Sequence, residues 1–87
     1  SITKYRKFRV SYLGKKIWKW QYVEGDTAVI FSTINTTLKL VNTSGVDLNG
    51  TALYRPAVGA YLSFGSGTTP TTMELLKGGY GFRVNYS

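Results

Sequence analysis

Tyr80-Gly81-Phe82-Arg83-Val84-Asn85-Tyr86 decides the fold class. Tyr80, Phe82, Val84 and Tyr86 occupy every second position, against Gly81, Arg83 and Asn85. A period of two puts successive side chains on opposite faces of a pleated strand; a helix would repeat near every fourth residue. The same alternation recurs upstream. Phe8, Val10 and Tyr12 oppose Lys7, Arg9 and Ser11. Trp18, Trp20 and Tyr22 oppose Ile17, Lys19, Gln21 and Val23. Gly14-Lys15-Lys16 reads as the turn between those two strands.

Further strands are expected at Thr27 to Thr33, Leu38 to Val41 and Val58 to Phe64. Thr72 to Leu76 and Tyr80 to Tyr86 read as a final hairpin about a Lys77-Gly78-Gly79 turn. Glu24-Gly25-Asp26, Asn42 to Gly50 and Gly65 to Thr71 carry the Gly, Asn and Ser/Thr of turns and loops. Arg55-Pro56 interrupts, because proline lacks the amide that a ladder needs. The chain thus predicts one all-β domain over residues 1–87, a small antiparallel β-barrel or sandwich of six to seven short strands.

Such a chain buries only about 60–65% of its unfolded surface, so its core is small. It has no Cys and no His. Disulfides and zinc are therefore excluded, and four scattered carboxylates make no calcium loop. Oligomerisation is the remaining supplement to a small core. No apolar run approaches the ~20 residues of a membrane span. Ile17-Trp18-Lys19-Trp20 lacks the long amphipathic helix of a membrane-active segment, so no membrane insertion is expected.

Charge is distributed unevenly. Lys4, Arg6, Lys7, Arg9, Lys15, Lys16 and Lys19 precede the first carboxylate, Glu24. The later cations (Lys39, Arg55, Lys77, Arg83) equal the acids in number, so the first nineteen residues carry the whole net charge of +7. Tyr5, Phe8, Tyr12, Trp18 and Trp20 lie in or beside the same stretch. Three readings of this hairpin stay open. Its cations neutralise phosphates while its aromatics stack on nucleic-acid bases. Alternatively, it meets an anionic glycopolymer, with rings on sugar faces and Lys/Arg on phosphate or carboxylate. Or its aromatics face a core or subunit contact and its cations are merely solvated.

Catalysis is not expected. The commonest general base and the commonest soft nucleophile are missing. Glu24 and Asp26 share a tight turn, and Asp47 and Glu74 are brought together by nothing in the sequence. Gly65-Ser66-Gly67 and Gly78-Gly79 precede no helix, so they are turns rather than phosphate loops. No cofactor is implied. The Asn-X-Ser/Thr triplets at Asn35, Asn42, Asn49 and Asn85 read as turn chemistry in a Ser/Thr-rich chain, with glycan attachment in a secreted eukaryotic protein as the alternative.

From Tyr22 onward the order of motifs resembles a known family. Tyr22-Val23-Glu24-Gly25-Asp26-Thr27-Ala28-Val29-Ile30 is similar to the x-V-x-G-D-x-V-x-I opening of the receptor-binding head domains that tip phage tail fibre and baseplate proteins. Ala52-Leu53-Tyr54-Arg55-Pro56 resembles their L-P-x-x-Y-R-P step, without its proline after Leu53. Met73 to Val84 resembles their closing hairpin, with Lys77-Gly78-Gly79 in place of the usual D-x-x-G turn. The resemblance covers roughly the last 65 residues by eye. It implies a non-enzymatic homotrimeric head on a virion, binding host cell-surface polysaccharide or teichoic acid, and the end of a longer fibre protein. Trp18, Lys19 and Trp20 are the first ligand candidates, with Arg55 and Tyr61 next. Lys4, Arg6, Lys7, Arg9, Lys15 and Lys16 are the polyanion-contacting set. The alternatives are a basic β-barrel that binds nucleic acid through the first hairpin, and a structural virion protein.

Overall fold

Alternating Thr, Val, Tyr and Phe with interspersed glycine produces strands and no helix. A computed structural model describes residues 4–86, which contain nine strands. They are β1 (Tyr5–Tyr12), β2 (Lys15–Tyr22), β3 (Thr33–Leu38), β4 (Leu40–Val41), β5 (Asp47–Leu48), β6 (Gly50–Arg55), β7 (Leu62–Thr68), β8 (Thr71–Leu76) and β9 (Gly81–Tyr86). All pairings are antiparallel. The sheets are β1-β2, β3-β8, β4-β5 and β7-β6-β9. The all-β expectation holds; the strand count exceeds six to seven, and the sheets close no barrel.

Two parts are distinguishable. An arm consists of the β1–β2 hairpin and the returning segment 23–32. A body holds β3 to β9. The body core is Ala52, Tyr54, Phe64 and Leu75, flanked by Leu38, Met73 and Tyr80. Phe64 meets Tyr54 and Phe82 edge-on, at 6.0 Å between centroids in each case. Thr69 is buried without penalty. Its hydroxyl donates to the Leu48 carbonyl at 2.9 Å and accepts from the Gly50 amide at 2.9 Å.

Several local expectations fail for identifiable reasons. Thr27 to Thr33 forms no strand before residue 33. The Lys19 ammonium donates to the Ile30 carbonyl and the Gln21 amide to the Ala28 carbonyl, so side chains take the place of a backbone ladder. Val58 to Phe64 is a strand only from Leu62, and β7 continues to Thr68 through the expected loop. There β7 bulges: Thr51 faces Thr68, whereas Leu53 faces Ser63. Gly65 and Gly67 supply the left-handed backbone, at φ 57° and 87°. A Cβ on Gly65 would fall 2.2 Å from Thr71 Oγ1. Asn42 to Gly50 is not all loop, since it contains β5 and the first residue of β6. The expected closing hairpin does not pair with itself. Thr71–Leu76 joins β3 and Gly81–Tyr86 joins β6. The Gly79 carbonyl between them is taken by Lys15 of the arm.

The arm meets the body at its turn. Leu13 and Gly14 form a two-residue loop at φ 49° and 82°, the backbone of a type I′ turn. Gly14-Lys15-Lys16 is therefore not the turn; Lys15 and Lys16 open β2. Leucine is a strained choice for the left-handed region, and the body compensates. Tyr54 donates its hydroxyl hydrogen to the Leu13 carbonyl at 2.9 Å. Gly14 lies so close to Pro56 that a Cβ would come within 2.9 Å of its ring. Lys15 donates to the Pro56 and Gly79 carbonyls and sits 4.9 Å above the Tyr80 ring. Tyr80 itself donates to the Leu76 carbonyl at 2.7 Å. Burial, followed by the neighbouring Tyr54, raises its pKa above the ordinary tyrosine value.

Arm and body lie end to end, giving extents of 63 × 24 × 19 Å. An eight-residue strand alone spans about 27 Å. The radius of gyration is 17.6 Å, where a compact chain of this length would have about 12 Å. Tyr54→Phe removes the bond that tethers the strained turn. It should cost about 1 kcal/mol, lowering Tm by roughly 4–8 °C for a chain of this size, and speed amide exchange at Leu13 to Lys15. Unchanged exchange there would show that the turn holds itself.

Candidate functional site

The hairpin register sets the site. Tyr5 pairs with Tyr22, Lys7 with Trp20, Arg9 with Trp18 and Ser11 with Lys16. Directly opposed residues of an antiparallel pair share a face, so these eight form one surface. All eight are exposed. Tyr5 is 50% exposed, Trp18 53%, Trp20 56% and Tyr22 58%, too open for core residues. The reading in which the tryptophans face this chain's own core is overturned.

Within the face, rings and cations interlock. Tyr5 and Trp20 stack at 5.7 Å between centroids, with 11° between planes. The Lys7 ammonium lies 5.6 Å from the Trp18 centroid and 5.9 Å from that of Trp20. Each exposed cation–π contact contributes about 0.5–1 kcal/mol. More usefully, such contacts restrict long side chains before a ligand arrives, which lowers the entropy lost on binding. Arg9 and Lys16 complete the charge on this face.

The opposite face has a different use. It carries Arg6, Phe8, Val10, Tyr12, Lys15, Ile17, Lys19 and Gln21. Phe8, Val10, Ile17 and Gln21 are half-buried. Lys19, expected to join the tryptophans, instead donates to the Ile30 carbonyl at 2.6 Å and lies 5.6 Å from the Phe31 ring. Lys7 takes the place assigned to it. Lys15 is held by two body carbonyls, so it leaves the polyanion set. Lys4 is ion-paired to Glu24. Arg6 points to the second face, with its guanidinium 3.4 Å from the Tyr5 carbonyl oxygen. The candidate face therefore keeps Lys7, Arg9 and Lys16 of the expected cations, plus Trp18 and Trp20, and gains Tyr5 and Tyr22. Arg55 and Tyr61 lie on the body, with the Arg55 guanidinium 5.2 Å from the Tyr61 ring centroid.

Beside β2, a shallow groove of about 190 Å³ runs between Ile17, Trp18 and Lys19 on one side and Ile30, Phe31 and Ser32 on the other. It is smaller than the ~300–1,000 Å³ of small-molecule sites. The open face suits an extended ligand better. Among the described residues, no group of three acids, cysteines or histidines is placed to hold a metal.

The geometry makes both tryptophans of the chain reporters of one cationic surface. At low ionic strength, iodide should quench their fluorescence more strongly than caesium at equal concentration. Lys7→Glu should narrow that difference at least twofold. Equal quenching by the two ions would mean that the rings do not share the cations' field.

Comparisons with protein families, with curated proteins and with solved structures found no match to this chain, so the candidate site rests on its own geometry.

Proposed function

We propose that this chain is a non-enzymatic binding module that takes an anionic glycopolymer along the Trp18–Trp20 face of its arm, as a receptor-binding head at the tip of a phage tail. The observation that carries the binding reading is the register, which joins four open aromatic rings to Lys7, Arg9 and Lys16. Rings cover sugar faces, and cations pair with the phosphates or carboxylates of wall polymers such as teichoic acids. The motif order from Tyr22 to Val84 supports the virion setting.

Assembly into a homotrimer belongs to the same reading. The chain exposes 6119 Å², where a compact monomer of its mass exposes about 5,100 Å². The excess of roughly 1,000 Å² exceeds the ~800 Å² that one ordinary interface takes from each partner. The body carries four cations against two acids, Asp47 and Glu74, whereas the arm carries seven cations against Glu24 and Asp26, so bodies meet with less repulsion than arms would feel. In this assembly the β3-β8 and β7-β6-β9 sheets form a small sandwich about Phe64, and the exposed Phe82 and Tyr86 of edge strand β9 find cover.

A second reading places single-stranded nucleic acid on the same face. It is favoured by the alternation of ring and charge along β2 and β1, since each nucleotide brings one π-face and one charge.

Tryptophan fluorescence separates the readings. A purified polyglycerol-phosphate glycan should quench saturably, dextran should not, and raising salt from 50 to 200 mM should weaken binding. Lys7→Ala combined with Trp20→Ala should reduce affinity about five- to 150-fold, as expected for ~1–3 kcal/mol of lost contacts. Tighter binding of oligo(dT) than of the glycan would transfer the function to nucleic acid. No response to either would remove the face from consideration. Light scattering should give three times the monomer mass; a monomer at tens of micromolar would sink the trimeric head.

A further inference from the structure

The solvent side of the body sheet carries a second cationic group. Arg55 is paired directly with Gly81, and Leu53 with Arg83, so both arginines lie on one side of the β6–β9 pair. Both guanidiniums sit over one ring. Arg55 is 5.2 Å and Arg83 6.0 Å from the centroid of Tyr61. Gly81 contributes no side chain between them. A Cβ there would come within 3.3 Å of the Tyr61 hydroxyl oxygen and 3.7 Å of Arg55 Nε. Glycine thus lets the Tyr61 phenol lie close over the strand, beside the Arg55 guanidinium. Arg83 is oriented from behind, its Nε donating to Asn85 Oδ1 at 3.1 Å.

The ion pairs among the described residues, Lys4–Glu24 and Lys39–Asp47, involve neither arginine. The Tyr61 hydroxyl has no hydrogen-bond partner among the described residues. Two like charges on one ring repel, and an anion bound between the guanidiniums would relieve that repulsion while accepting charge-assisted hydrogen bonds. A lone planar carboxylate is filled by one arginine fork. A phosphate group offers enough oxygens for two forks and a phenol.

We infer that Arg55, Tyr61 and Arg83 form a phosphate-binding site, with Gly81 allowing the Tyr61 phenol to lie beside the two guanidiniums. This site lies on the body and stands independently of the arm face. Its occupant is a phosphate group, whether free or carried on a polymer.

The test is a titration of the full chain at pH 7 and constant ionic strength, followed through the arginine Nε–H signals. Inorganic phosphate is the probe, acetate the control, and a glycerol phosphodiester distinguishes a polymer-type linkage from the free ion. Phosphate should shift the Arg55 and Arg83 signals saturably, at least tenfold more tightly than acetate. Gly81→Ala, whose methyl would press on the Tyr61 phenol, should weaken binding about tenfold without moving the tryptophan Nε1–H signals. Arg83→Gln should reduce the response at Arg55 as well, and Arg83→Lys, which keeps charge without the planar fork, should fail to rescue it. A non-saturating shift that grows in parallel at Arg9 and survives in Gly81→Ala would overturn the site. Acetate binding as tightly as phosphate would overturn its assignment to phosphate. Should Gly81→Ala disturb the backbone spectrum, the Arg83 pair of variants decides alone.

Discussion

One turn determines which surface this protein shows. Leu13-Gly14 is a two-residue loop, and it sets Trp18 opposite Arg9 and Trp20 opposite Lys7. A three-residue loop at Gly14-Lys15-Lys16 would pair Leu13 with Ile17 and set Trp18 opposite Tyr12. The apolar residues of both strands would then coincide, with the cations on the other side. That arm would be amphipathic, with an aromatic face to be covered. Side chains alternate with period two, so a register change of odd size moves every residue of one strand to the other face of its partner. The mixed ring-and-cation face exists because the turn is two residues long.

What selects the shorter turn lies far away in sequence. Tyr54 bonds to the Leu13 carbonyl, Pro56 leaves room only for glycine at position 14, and two body carbonyls hold Lys15. Local chemistry alone disfavours leucine in a left-handed backbone. Tertiary contact therefore overrides local preference, and the same contacts hold the arm to the body. The cations divide accordingly. Lys4, Lys15 and Lys19 serve the chain's own carboxylate and carbonyls, while Lys7, Arg9 and Lys16 remain at the tryptophan face. Net charge is thus a guide to the arm's general character but not to which of its cations stay at the tryptophan face.

The alternation at Tyr80 to Tyr86 and at Phe8 to Tyr22 made the strands legible, because period two is a local property. Pairing is not local. Thr71–Leu76 and Gly81–Tyr86 are separated by a short glycine connection, yet they belong to different sheets, and the Gly79 carbonyl between them is taken by Lys15 of the arm. The Ala28-Val29-Ile30-Phe31 run has strand composition but is held by Lys19 and Gln21 side chains rather than by a neighbouring backbone. Trp18 and Trp20 could be nominated from composition. Lys7, Tyr5 and Tyr22 became visible as their neighbours only with the register, and Arg83 as the partner of Arg55 only with the β6–β9 pairing.

The elongated shape and the thin core have a common origin. The four aromatic rings on the outer face of the arm are lost to burial in this chain, so the body must build its core from few residues, Ala52, Tyr54, Phe64 and Leu75 among them. Its edge strand β9 leaves Phe82 and Tyr86 open on the side that Val84 and Ala52 use for packing. An exposed edge with apolar side chains is costly for a solitary domain, and natural sheets cover or charge such edges. Here β9 carries Arg83 as its charge, on the solvent side, away from the apolar residues. Charge therefore guards one face of the edge and leaves the apolar face open. The arm concentrates positive charge instead. The sequence separates these properties along its length, and the structure separates them in space, the ring-and-cation face on the arm and the open apolar edge on the body.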